Sequence, residues 1–398
     1  MNETPLTIML KPRCGKRAKN GHPWIFSNEI NHPQTLPEAG RIAAVRDDGG
    51  NFVGYATYNP HCLIALRILS RVADEFPGSP SWFEQKIRQA LQLRQRLYPH
   101  RKSLRVIYAE SDGLPGIIVD RYEDTLVVQI QTAGMERMTE PIKESLIAVF
   151  SPKSIILRNT GEKRKLEALP LNTKVIYGEE PGMIEIDDNG ARLLVDVKAG
   201  QKTGHFFDQA DNRQALIPFA RDAEALDLFC HTGAWSIQLI LAGAKSSVAI
   251  DASKAAINLA RRNAERNGID KQIECIESDA FEWLANARKQ KKRYDVVVVD
   301  PPAFAKTAKQ VKKALRGYED INRQAIHLVR SGGILCTCSC SYFIDEEQFH
   351  SVLHNAAARE HRTLKLLQIR GQAADHPILL AMPESRYLKC VIALVENG

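Results

Sequence analysis

Residues 336–341 read Cys-Thr-Cys-Ser-Cys-Ser, a strand-like run with a thiol at every second position. Side chains two apart on a strand share a face, so Cys336, Cys338 and Cys340 are expected to point the same way. A few tens of residues earlier, Val296-Val297-Val298-Val299-Asp300-Pro301-Pro302 reads as a buried strand ending in an acid and two prolines. If the two strands are neighbours in a parallel sheet, a thiol and a carboxylate meet outside its carboxyl edge, where ligands bind in open α/β folds. A deprotonated thiol there is a candidate nucleophile. A zinc site is not expected from the trio, and no other metal is. Alternate positions on one extended strand lie about 6.5–7 Å apart, too far to share one zinc at roughly 2.3 Å per bond.

The elements that must position these groups begin near Leu193, where strand and helix start to alternate. The strands are apolar enough for a parallel sheet covered on both faces. They are read at 225–229, 247–250, 272–276 and 296–299, with helices running through Leu241 and from Ser253 to Asn267. Acids fall at their ends. Asp227 lies in the first strand, and Asp251 stands about 20 residues beyond the first strand–turn–helix, where a ribose-binding acid belongs. Asp279 follows the third strand, where a short acid can accept from an adenine amino group. The first turn, Cys230-His231-Thr232-Gly233, lacks the G-x-G-x-x-G cradle of a pyrophosphate. A nucleoside cofactor without phosphates fits better, and S-adenosylmethionine is the obvious one. The plainer reading is that these acids cap strand ends and helix starts.

At 398 residues the chain is too long for one ordinary domain. Its 44% hydrophobic and 25% charged content is that of a soluble globular protein. No run approaches the roughly 20 apolar residues of a membrane span. Met1-Asn2-Glu3-Thr4-Pro5 lacks the charged and apolar regions of a signal peptide, so a cytoplasmic place and eight reduced cysteines are expected. Three parts are read: a β-rich module over 1–72, an α+β domain over 73–192 and the α/β domain over 193–398. The second opens on Pro77-Gly78-Ser79-Pro80 as a linker, followed by a helix from Trp82 to Leu97.

The net charge of +7 invites a polyanion. Lys11, Arg13, Lys16, Arg17 and Lys19 crowd together near Trp24 and Phe26. Arg88, Arg94, Arg96, Arg101, Lys102 and Arg105 follow along and after the helix, and Lys306, Lys309, Lys312, Lys313 and Arg316 follow the proline pair. Each cluster alone reads as a solvated face. Three in one chain, one of them beside the suspected site, favour phosphate contacts.

Taken in order, Lys202-Thr203-Gly204-His205-Phe206-Phe207-Asp208-Gln209, Asp227 to Gly233, Asp251, Asp279, Asp300-Pro301-Pro302-Ala303-Phe304, Arg316-Gly317-Tyr318 and Ser339-Cys340-Ser341 resemble the RlmI-type methyltransferases. Those bacterial enzymes methylate C5 of a cytosine in 23S rRNA. Gly21-His22-Pro23-Trp24-Ile25-Phe26-Ser27 resembles the family's N-terminal PUA domain and Glu110–Asp120 its middle domain. Ala373-Ala374-Asp375-His376-Pro377 and Tyr387-Leu388-Lys389 match as well, so the resemblance covers nearly the whole chain.

The resemblance implies an α/β fold class with a C-terminal Rossmann-like class I methyltransferase domain, a small β-rich PUA-like RNA-binding domain and an α+β middle domain. It implies S-adenosylmethionine as cofactor and S-adenosylhomocysteine as product, held by Phe206, Gln209, Asp227, Cys230, Gly233, Asp251, Ala252, Asp279, Ala280, Asp300 and Pro301. RNA contacts fall to Lys11, Arg13, Lys16, Arg17, Trp24, Lys306 and Arg316. The implied partner is 23S rRNA or a large-subunit assembly intermediate, with no membrane and with a homodimer left open.

C5 of cytosine is too weak a nucleophile to take a methyl group directly. A thiolate adding to C6 makes C5 enamine-like, so that it attacks the sulfonium methyl; loss of the C5 proton and of the thiolate restores the ring. Groups at Asp300 and Pro301 can contact the N3/N4 edge and stabilise the charge that develops there. A stacked base is out of reach, so base flipping is implied. The family pattern selects Cys340 as the nucleophile. Thr337-Cys338-Ser339 also resembles the motif of a second group of RNA cytosine-5 methyltransferases, but those carry another cysteine after the proline of the acidic motif, where this chain has Ala303 or Phe304. Purely structural cysteines are the third option.

No base for the C5 proton is visible. Related uracil-5 enzymes carry a glutamate in the last strand, where this chain presents Lys389, leaving Asp375, His376 and Glu384 as substitutes. His231 reads as structural. Methylation of uracil C5 or of a purine exocyclic amine is the alternative activity. Amine chemistry needs no thiol and favours an aromatic residue directly after Asp-Pro-Pro, where Ala303 stands. A non-catalytic RNA-binding protein that retains the fold is the remaining class.

Overall fold

The computed structural model describes residues 5–198 and 203–398. The Met1–Thr4 start and Lys202 lie outside the described residues. The chain forms two compact units: one from 1–184, 195–207 and 374–385, the other from 185–194, 208–373 and 386–398.

Two five-stranded sheets occupy the first unit. One orders its strands Leu6–Met9, Arg41–Arg46, Phe52–Tyr58, Ile64–Ser70 and Trp24–Phe26, around a core that includes Ile8, Val45, Ala56, Leu66 and Ile25. The other runs Asn172–Gly178, Ser154–Asn159, Thr125–Ile130, Ile117–Tyr122 and Leu104–Tyr108. Helix Pro80–Leu97 packs into the core of this second sheet through Trp82, Phe83, Ile87 and Ala90, which recur at helical spacing. Residues 77–80 prove to be more than a linker. Ser79 Oγ accepts from Trp82 N at 3.2 Å and caps the helix, and Pro80 takes its first position, where a missing N–H leaves no bond unmade.

The second unit is built on a seven-stranded sheet. In chain order its strands are β1 (Glu224–Leu228), β2 (Ser246–Asp251), β3 (Ile273–Glu277), β4 (Tyr294–Val299), β5 (Val329–Ser339), β6 (Arg362–Arg370) and β7 (Lys389–Asn397). They lie in the order β3-β2-β1-β4-β5-β7-β6, and β7 runs antiparallel to both its neighbours. Between them come α1 (Ala234–Leu241), α2 (Lys254–Arg266), α3 (Ala280–Lys289), α4 (Val311–Leu328) and α5 (Glu346–Arg359). Leu226, Leu228, Ile250, Val297, Val299 and Leu335 share one core with Ile321 and Ala325 of α4; Val391 and Ala393 share another with Tyr318 and Phe349. This is the doubly wound sheet expected from the apolar strands. Its order reverses between β1 and β4, the switch point at which a crevice opens beyond the carboxyl ends. β4 and β5 are parallel neighbours with Val299 level with Thr337, so the Asp300-Pro301 corner and the cysteine run end side by side.

Candidate active site

Carboxylates at the carboxyl ends of four adjacent strands line that crevice. Asp227 of β1 is fully buried. Its Oδ2 accepts from Ser236 N at 3.1 Å and from Ser236 Oγ at 2.9 Å, and its Oδ1 has no partner among the described residues. Burial pushes this carboxyl up to about 7 against the Ser236 bonds, and the Asp300 and Asp251 charges add to the rise. Asp251 accepts from His231 N at 3.0 Å and from Ser253 N at 2.8 Å. Asp279 caps α3 through Oδ1, which accepts from Phe281 N at 2.9 Å and Glu282 N at 3.1 Å. The capping role anticipated for these acids is therefore real, but each carboxylate oxygen has a second lone pair for a ligand. Asp300 accepts from Gln209 Nε2 at 3.0 Å and from Trp235 Nε1 at 3.2 Å, which fixes the plane of its carboxylate.

The turn between β1 and α1 is left-handed at alternate residues: Phe229 (φ 62°), His231 (φ 50°) and Gly233 (φ 81°). A bulky residue at positive φ is strained, and such strain persists where the surrounding structure enforces it. Here Cys230 N donates to Ile250 O at 2.9 Å and His231 N to Asp251, clamping the turn onto β2. Burial holds the Cys230 thiol well above its ordinary range. Ala252 and Ala280 directly follow Asp251 and Asp279, and Pro301 is buried beside Asp300. Phe206 belongs to the first unit. A crevice lined by acids suits a ligand that brings positive charge. S-adenosylmethionine carries a sulfonium and an ammonium, so the partnerless Oδ1 of buried Asp227, with Asp251 and Asp300 near it, fits that cofactor.

The cysteines separate sharply. Cys336 and Cys338 of β5 are fully buried, and Cys390 of β7 lies opposite Cys338. The three sulfurs stand within 4.8 Å of one another. Spacing along one strand makes Cys340 the third thiol; in the structure the third is Cys390, from the neighbouring strand. Their mutual hydrogen bonds and burial hold all three well above the ordinary cysteine range, so without a metal they pack the sheet as neutral thiols.

Cys340 follows the last residue of β5 and is partly exposed. Its Sγ donates to Pro301 O at 3.9 Å. Ser341 locks the loop: its Oγ accepts from Ala305 N at 3.1 Å and lies 3.0 Å from Tyr318 Oη, while its N–H donates to Ser339 Oγ at 3.4 Å. Tyr318 of α4 is buried, and burial pushes its hydroxyl up to about 12. On the opposite face of α4, Lys312, Lys313 and Arg316 are exposed, and exposed Lys306 directly follows Ala305. A basic ledge therefore begins one residue from the loop that carries the thiol.

Several residues raised by the sequence fall in the first unit, where they have other partners. Asp375 Oδ2 accepts from Arg105 N at 3.0 Å, and its Oδ1 lies 2.7 Å from buried His376 Nδ1. Glu384 pairs with Arg17 at 2.9 Å and with His22 at 3.3 Å. Lys11 Nζ donates to Asn28 O at 3.1 Å, while Arg13 and Lys16 are exposed. Trp24 Nε1 donates to Glu110 at 2.8 Å, with the Arg67 guanidinium 5.4 Å from the ring centre. Two members of the second basic cluster are a correction. Arg94 is buried against Asp112 (2.8 Å) and Arg105 against Asp120 (2.7 Å), so these two charges brace the fold and do not face a polyanion, whereas Arg88, paired with Glu84, stays exposed, as do Arg96 and Lys102.

Residues 8–71 match a family described as PUA-like domain, and residues 171–380 one described as S-adenosylmethionine-dependent methyltransferase. The chain is 35% identical to the ribosomal RNA large subunit methyltransferase I of Alteromonas mediterranea, over 98% of this chain and 99% of that protein. It is 37% identical to the protein of the same name from Shewanella denitrificans, again over 98% and 99%. Among solved structures, a candidate SAM-dependent methyltransferase from Streptococcus mutans superposes with a TM-score of 0.82 at 20% identity, covering 98% of this chain and 100% of that one. A candidate methyltransferase complexed with SAH reaches 0.84 at 20% identity with the same coverage. Likeness at that identity speaks for the fold.

Proposed function

We propose, since this chain belongs to the ribosomal RNA large subunit methyltransferase I family of S-adenosylmethionine-dependent methyltransferases, that it methylates C5 of a cytosine in 23S rRNA through Cys340. The observation that carries this reading is the contrast among the thiols. Cys336 and Cys338 are shut in the sheet, whereas Cys340 stands partly exposed at its carboxyl edge beside Pro301. A nucleophilic thiol is what C5 chemistry on cytosine requires and what methylation of a purine amine does not.

S-adenosylmethionine supplies an electrophilic methyl group on a positively charged sulfur. In this reading Asp227, Asp251 and Asp279 bind it and Asp300 contacts the base. Cys340 Sγ, as thiolate, bonds to C6 of a flipped cytosine, and the displaced ring electrons make C5 nucleophilic. C5 would gain the methyl group as its bond to the sulfonium breaks, leaving neutral S-adenosylhomocysteine; a base takes the C5 proton, and the C6–Sγ bond breaks with its electron pair returning to sulfur. Rigid support for that geometry comes from Ser341, Tyr318 and Ala305. Lys306 and Arg316 contact phosphates near the target, and the PUA-like residues 8–71 add binding surface. The place of action is the cytoplasm. Among the described residues no helix is long and apolar enough to cross a membrane.

Mass mapping of 23S rRNA from cells lacking the gene tests the substrate. One cytosine short of its C5 methyl supports the reading. An unchanged map, or a methyl missing from a purine amine, overturns it.

A further inference from the structure

Lys389 opens β7 and is 7% exposed, an unusual burial for a lysine without a charged partner. Its ammonium donates to Ser341 O at 2.7 Å and to Tyr387 O at 2.9 Å, both neutral carbonyls. No carboxylate lies within ion-pair distance of it among the described residues. Two of its three protons are thereby assigned, and the charge itself is left uncompensated. In the β5–β7 register Lys389 sits level with Ser339, and the shorter of its two bonds goes to Ser341 O, so the ammonium brackets the one residue between them, Cys340.

We propose that Lys389 is a positioning residue for Cys340: its ammonium, anchored on two backbone carbonyls at the mouth of the sheet, sets the Cys340 sulfur in its anionic, nucleophilic form. The thiol proton leaves to solvent and Lys389 keeps its own, so the pair is thiolate and ammonium. Burial drives Lys389 down to about 8, and Cys340 is the strongest influence resisting that fall. Arg386 adds to the fall, while Asp345 and Glu346 resist it; Arg386 and Glu346 are paired with each other. At neutral pH the ammonium form still predominates. Tyr318 is neutral, Cys336 and Cys338 are neutral, and Asp300 is an acid that would oppose the thiolate. A nearby ammonium lowers a thiol from its free value of about 8.5, and here it also offsets Asp300.

The inference rests on the reading of Cys340 as nucleophile but is tested apart from turnover. The rate of alkylation of Cys340 by iodoacetamide is followed against pH in the full chain, with residue 340 read by peptide mass analysis. The wild-type midpoint is expected below about 8.5. Lys389→Gln retains amide donors for the two carbonyls and removes the charge; its midpoint should rise by about one pH unit, a roughly tenfold slower reaction at pH 7. Lys389→Arg should stay near wild type, and serves as the second variant should the glutamine protein fold poorly, since a lost Arg rescue equally counts against the proposal. A Gln midpoint unchanged from wild type, with or without loss of methyl transfer, overturns it and leaves Lys389 a structural residue. Methyl transfer that survives Cys340→Ala would instead sink the reading beneath it, whatever the alkylation profile shows.

Discussion

The Cys340 sulfur lies 3.9 Å from the Pro301 carbonyl oxygen, joining the end of β5 to the corner that follows β4. That contact depends on the parallel pairing of the two strands, in which Val299 is level with Thr337. It also places the thiol one peptide unit from Asp300, whose carboxylate Gln209 and Trp235 hold in place. Chemistry and positioning thus come from separate elements.

Cofactor affinity should depend on pH through Asp227. Its carboxyl is raised from 3.8 to about 7, so below pH 7 the free protein holds a proton there that a cationic ligand must expel. Affinity for S-adenosylmethionine is expected to fall by up to about tenfold per pH unit below 7. Calorimetric titration between pH 5.5 and 8 should show the fall, with proton release, and Asp227→Asn should flatten it. The stability sign follows too. A carboxyl raised on folding stabilises most below its unfolded value, and that contribution is lost as pH climbs through about 7, so thermal melts of the Asn variant should vary less over this range.

Ser341→Ala removes the acceptor of Ala305 N and the partner of Tyr318 Oη in one step. Loosening the loop by a fraction of an ångström should lower kcat by about 10–100-fold. Cofactor affinity, measured separately, should stay within about twofold, because the acids that line the crevice are untouched.

Replacing Lys306 and Arg316 by alanine should weaken RNA binding and reduce the slope of log affinity against log salt by about 0.7–0.9 per charge removed. Filter binding over a salt series reads this. An unchanged slope would mean that the exposed ledge meets no phosphate.

Arg94→Ala should behave oppositely. It takes the charge partner from Asp112, whose side chain is nearly buried and keeps only the Tyr108 N–H, and breaking a buried pair costs about 3–5 kcal/mol. Denaturant melts should register the loss while the salt slope of RNA binding remains as in wild type.

The sheet was legible in the sequence wherever strands were continuously apolar, as at Val296–Val299, and wherever an acid marked a strand end, as at Asp251. β6 was not, because its outward residues Leu366, Leu367 and Ile369 are exposed and its pattern carries no clean period. Sequence spacing could show that Cys336 and Cys338 share a face; it could not show that Cys390 meets them from β7, since that depends on the pairing of strands far apart in the chain. Arg94 and Arg105 looked like part of a phosphate surface for the same reason: their acids, Asp112 and Asp120, come from later in the chain. Strain at Phe229 and His231 had no signal in residue type beyond Gly233, and Lys389 showed itself only as the residue standing where a glutamate was sought.

RNA carrying 5-fluorocytosine at the target has no C5 proton to lose, so a covalent enzyme–RNA complex should accumulate once the methyl group is transferred. Mass analysis of the trapped, nuclease-trimmed protein should place the adduct on Cys340, and Cys340→Ala should form none while Cys338→Ala still does. An adduct on Cys338, or full turnover of unmodified RNA by Cys340→Ala, would contradict the account.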